Sequence, residues 1–90
     1  MIYELAFTKK ASSGIEKLQK SGNKPLLKKL KSLLIELSQH PFTGTGQPEQ
    51  LKHDFAGFWS RRLNREHRIV YKVDQNVITV TVISVLGHYK

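Results

Sequence analysis

Ninety residues with fifteen Lys and Arg against seven Asp and Glu give a small chain of net charge +8. That length allows one domain (residues 1–90) with a modest core, and 39% hydrophobic residues are enough to fold it. The absence of Cys excludes a disulfide framework and thiol chemistry, no apolar run reaches the ~20 residues of a membrane span, and the opening MIYELAFTKK is no signal peptide, so a cytoplasmic protein with no membrane partner is expected.

Taken in chain order, residues 2–7 (IYELAF) read as a short strand rich in β-branched and aromatic side chains. Thr8 is placed to cap a first helix that runs to about residue 20, with Ala11, Ile15 and Leu18 on one face and Gly14 weakening it. Ser21-Gly22-Asn23 breaks that helix, and Asn23 caps a second with Pro25 in its first turn. Leu26, Leu30, Leu33 and Leu37 then follow helical spacing, widened by Leu27 and Leu34. This stripe is read as core, with a partner groove as the alternative. After Pro41, PFTGTGQP is loop chemistry. Residues 49–53 read as a strand or extended segment, 58–63, 67–73 and 77–85 as the strands of a meander, with turns at 64–66 and 74–76. The fold class expected is α+β, two N-terminal helices packed on a twisted, mainly antiparallel sheet.

The charge is unevenly distributed. Eight of eleven lysines precede residue 32, whereas all four arginines lie between residues 61 and 68. Lysines spread over helices suit long-range attraction to a polyanion, and clustered guanidinium forks suit a held phosphate. A solvated charged surface or an acidic protein partner would use the same charge. Arg61 and Arg62 must point to opposite faces of a strand. If the turn centres on Arg65, Arg62 lies directly opposite Arg68, where two like charges repel unless an anion sits between them. The alternative is that one of the pair bridges to Glu66 or Asp54. His40, His53, His67 and His88 lack zinc-site spacing, so no metal or other cofactor is expected. A lone acid (Glu49), cations (Lys52, Arg62, Arg68) and a histidine near the end (His88) are the residue types of metal-independent RNA cleavage. There a base takes the 2′-OH proton, an acid protonates the leaving oxygen and cations stabilise the phosphoryl charge.

The run GTGQPEQLKHDFAGFWSRRLNREHRIVYKV, followed by a terminal His-Tyr, resembles the YoeB/Txe family of toxins in the RelE superfamily. PEQLKH, GFWSRR and EHRIVY together carry the likeness. The resemblance implies a RelE-like microbial ribonuclease fold and an endoribonuclease of a type II toxin–antitoxin pair. Such an enzyme cleaves mRNA in the ribosomal A site and inhibits translation. It implies as partners a cognate antitoxin, the ribosome with its mRNA, and operator DNA only through the antitoxin complex, with a homodimer as a family habit. By position it makes Glu49 the general base, Arg68 the phosphate-stabilising arginine, His88 the general acid and Tyr89 the aromatic beside it. Lys52, His53 and Arg62 become substrate contacts. The stretch from Arg68 to His88 is a residue or two longer than usual for the family, and a bulge at Leu86-Gly87 would absorb the excess. The competing functions are a non-catalytic RNA- or protein-binding module and a superfamily toxin that inhibits another target, such as gyrase, by binding alone.

Overall fold

The computed structural model describes residues 2–86. Strand β1 (Glu4–Phe7) leads into helix α1 (Lys9–Ser21). The Thr8 hydroxyl accepts from the Ala11 N–H and so caps the helix. Gly22, in the left-handed region at φ 76°, ends it. One residue later the Asn23 side chain accepts from Leu26 N–H and starts helix α2 (Lys24–Gln39), with Pro25 in its first turn. The turn residues and caps therefore act where the sequence places them.

The rest is a meander: β2 (Glu49–Gln50), a 3-10 turn (His53–Phe55), β3 (Trp59–Arg62), β4 (Arg68–Asp74) and β5 (Thr79–Ser84). The sheet order is β1-β5-β4-β3-β2. The four meander strands pair antiparallel, whereas β1 runs parallel to β5. The extended segment expected over 49–53 shortens to two residues of strand, because Leu51 turns into the core at 5% exposure and His53 takes φ +59°. The last strand starts later than expected. The Asp74 carboxylate accepts from the Asn76 and Val77 N–H groups and Ile78 sits at φ +49°, so the turn continues through residue 78.

Both helices cover one face of the sheet. Leu30, Leu33 and Leu37 of α2 and Ala11 and Leu18 of α1 pack on Ile69, Tyr71, Val80 and Val82, all buried. The leucine stripe is core. Gly14 is also part of that packing: a Cβ there would lie 2.7 Å from Val85 Cγ2, so the glycine allows α1 to approach the end of β5. Among the described residues no helix is long and apolar enough to cross a membrane.

Candidate active site

Alternation along β3 separates the two adjacent arginines. Trp59, Arg61 and Leu63 face the helices; Ser60 and Arg62 face away. On the outer face the register pairs Arg62 with Arg68 and Ser60 with both Val70 and Glu49. Glu49, Ser60, Arg62 and Arg68 therefore occupy one surface of three adjacent strands, turned away from the helices. The cross-strand arginine pair is the one that a turn centred on Arg65 requires.

The acid beside Arg68 is Glu49. Its Oε1 lies 3.8 Å from Arg68 Nη1, and the same nitrogen donates to Ser60 Oγ at 3.4 Å. The Arg68 side chain is 23% exposed and that of Glu49 is 56% exposed, so this is a contact at an open surface rather than a sealed pair. An exposed carboxylate that touches a guanidinium without being buried by it remains accessible to a third group. Glu49, Gln50, Leu51, Lys52 and His53 together line an open cleft of about 290 Å³. Lys52 and His53 thus stand next to Glu49, and both are exposed. His88 and Tyr89 lie outside the described residues.

Strand β5 departs from regular register near its end. Val70 faces Ser84 while Tyr71 faces Val82, which leaves Ile83 as the extra residue of a bulge. The bulge expected at Leu86-Gly87 involves Gly87, which lies outside the described residues; the one seen here falls at Ile83. Its position has a local cause. The Thr8 hydroxyl donates to the Ile83 carbonyl at 2.6 Å while the Thr8 N–H donates to the Val82 carbonyl at 3.1 Å, so the cap of α1 also holds the bulge.

Two features escaped the sequence reading. Ser60 is fully buried beside Arg68; its place two residues before Arg62 in an alternating strand is the signal that could have found it. The other is Arg61, also fully buried. Its Nη1 meets Glu36 Oε1 at 2.9 Å, its Nη2 donates to the carbonyls of His40 and Thr43, and its Nε lies 3.3 Å from the Tyr71 hydroxyl. Tyr71 in turn donates to the Pro41 carbonyl at 2.6 Å. Burial pushes the Tyr71 hydroxyl pKa up, against the pull of Arg61. Glu36 is held below the ordinary carboxylate value, first by the Thr45 hydroxyl and then by the Thr45 N–H and Arg61, against a burial that pushes it up. A guanidinium on the apolar side of a strand demands such a carboxylate, and Glu36 flanks the leucine stripe.

Residues 7–89 match the family model of the YoeB-like toxin of bacterial type II toxin–antitoxin systems. The Escherichia coli K12 protein named Toxin YoeB is 43% identical over 58 residues, which are 64% of this chain and 69% of that protein. The solved YoeB/ParE toxin from Agrobacterium tumefaciens, 36% identical, superposes with a TM-score of 0.88 over 96% of this chain and 99% of its own. A YoeB dimer from Staphylococcus aureus, 32% identical, does so with a TM-score of 0.84 over 99% of this chain and 100% of its own.

Proposed function

Because the chain belongs to the family of YoeB-like toxins of bacterial type II toxin–antitoxin systems, we propose that it is a ribosome-dependent endoribonuclease that cuts mRNA in the A site and so stops translation. The observation that carries this reading is the Glu49–Arg68 contact of 3.8 Å on the sheet face turned away from the helices, with Arg62 directly across from Arg68.

In this reading a scissile phosphate lies over Arg68 and Arg62, and Glu49 takes the proton of the adjacent 2′-OH. The 2′ oxygen attacks phosphorus, the bond from phosphorus to the 5′ oxygen breaks, and His88 gives the leaving oxygen a proton. The products are a 2′,3′-cyclic phosphate and a free 5′-OH. The two arginines match the charge that grows on the non-bridging oxygens. Ser60 holds Arg68 in place, and Lys52 and His53 contact the RNA backbone beside the base. The roles of His88 as acid and Tyr89 as a stacking neighbour rest on the family resemblance. DNA lacks the 2′-OH, so the chemistry selects RNA. Ordering of mRNA on the ribosome supplies the alignment that a shallow, open site does not.

The antitoxin is the cognate partner of such a toxin, operator DNA is met only through that complex, and a homodimer is the self-association that the Staphylococcus aureus relative displays. The test is expression of Glu49→Ala, Arg68→Ala and His88→Ala. Each is expected to relieve growth arrest, and each purified variant to retain the antitoxin. Three variants as toxic as the wild type would refute the nuclease reading and favour inhibition by binding alone.

A further inference from the structure

The base in this site sits on a strand that cannot hold itself. β2 is two residues long, both exposed, at the outer edge of the sheet. Its register with β3 rests on pairing of Glu49 with Ser60 and Gln50 with Trp59. A strand that short slips or frays unless the chain is fixed on both sides of it. On the C-terminal side the anchor is plain: Leu51 is buried and its N–H donates to the Phe58 carbonyl at 2.9 Å.

On the N-terminal side the anchor is the loop of residues 40–46, and that loop is gathered around one guanidinium. Arg61 binds the carbonyls of His40, Thr43 and Thr45 and the carboxylate of Glu36. Glu36 also accepts from the Thr45 N–H at 2.9 Å and from the Thr45 hydroxyl. The loop then closes on β3, where the Arg62 N–H donates to the Gly46 carbonyl at 2.6 Å. Closeness is built into the sequence: a Cβ at Gly44 would collide with Glu36 Oε1, and one at Gly46 would lie 2.9 Å from the Arg62 carbonyl oxygen.

We propose that Arg61 and Glu36 are positioning residues, an ion pair of a fully buried guanidinium and a partly exposed carboxylate that clamps the 40–46 loop to β3 and so holds the Glu49 carboxylate against Arg68. The pair touches no substrate; it acts through Gln47 and Pro48, the two residues that join Gly46 to Glu49. This rests on the reading of Glu49 as the base. Adjacent arginines then divide the work of the strand, with Arg62 facing substrate and Arg61 fixing the loop behind it.

The experiment is single-turnover cleavage of mRNA on programmed ribosomes by wild type, Glu36→Ala, Glu36→Gln and Ile15→Ala, each with its thermal midpoint measured. Ile15→Ala loosens the core from α1, where Ile15 packs, without touching the loop. Glu36→Ala is expected to cut roughly 10–100-fold more slowly at saturation, as a misplacement of about 1 Å would cause, with half-saturation within about twofold of wild type. Glu36→Gln keeps oxygen and nitrogen where Arg61 and Thr45 need them and is expected to recover most of the rate. Ile15→Ala is expected to lose thermal midpoint but not rate. A wild-type rate in Glu36→Ala, a rise in half-saturation alone, or an equal rate loss in Ile15→Ala overturns the clamp while leaving the nuclease reading intact. A wild type that does not cut overturns both.

Discussion

Replacing Arg62 by Gln separates what the fold prefers from what the site needs. Arg62 and Arg68 are direct cross-strand partners, and like charges so placed destabilise a sheet by about 0.2–1 kcal/mol. Glu49, 3.8 Å from Arg68, offsets part of that repulsion, which places the gain from Arg62→Gln in the lower half of the range, at about 0.2–0.5 kcal/mol. For a domain of this size that is a rise in thermal midpoint of about 1–4 °C. RNA binding is expected to move the other way. Loss of one phosphate contact lowers the slope of log affinity against log salt by about 0.7 for single-stranded RNA. The assays are thermal unfolding and a salt titration of binding to a 2′-O-methyl RNA that cannot be cut. In a Glu49→Ala background, where the screening acid is gone, Arg62→Gln is expected to stabilise more, towards about 1 kcal/mol. A fall in thermal midpoint with an unchanged salt slope would refute the reasoning, because it would make Arg62 a structural residue.

Glu49→Gln is expected to slow mRNA cleavage by about 10²–10⁴-fold while leaving the fold intact, since that side chain is 56% exposed; kinetics and circular dichroism check both halves. Gly14→Ala tests the close approach of α1 to β5. Helix propensity alone would stabilise by about 1 kcal/mol, but a Cβ 2.7 Å from Val85 Cγ2 overpacks the core at about 1–3 kcal/mol, so urea unfolding is expected to show a net loss. Acid unfolding should reveal Glu36. Its folded pKa lies below the ordinary 4.5, so as pH falls past that value the unfolded chain takes up the proton first. Its contribution is therefore complete above 4.5 and lost as pH falls through the lowered folded value. Urea midpoints of wild type and Glu36→Gln should differ at pH 7 and converge at strongly acid pH.

Much of this was legible in the sequence because it is local. Thr8 and Asn23 cap the helices they precede, the leucine spacing gives the buried stripe, and a turn centred on Arg65 fixes the Arg62–Arg68 register. Alternation also separated Arg61 from Arg62. What it could not supply was the partner of Arg61: Glu36 lies 25 residues away on another element, and only the packing of α2 on the sheet brings them together. The bulge shows the same limit. No residue type announces one at Ile83, and a hydroxyl 75 residues upstream, Thr8, holds the Ile83 carbonyl. Nor did local pattern show that β1 would pair parallel with β5, a contact that closes nearly the whole chain. Nor could spacing show what Gly14 admits besides weakening the helix, which is the close approach of Val85. The meeting of Glu49 with Arg68 came from the resemblance and not from periodicity, since β2 is too short to declare its register.

The most direct test of the account is to program ribosomes with an mRNA carrying a single 2′-deoxynucleotide on the 5′ side of the cut site. Attack by the 2′ oxygen predicts that cleavage there disappears while the toxin still binds the complex, and that the all-RNA control leaves a 2′,3′-cyclic phosphate. Cleavage of the deoxy message at the same phosphate and the same rate would contradict it.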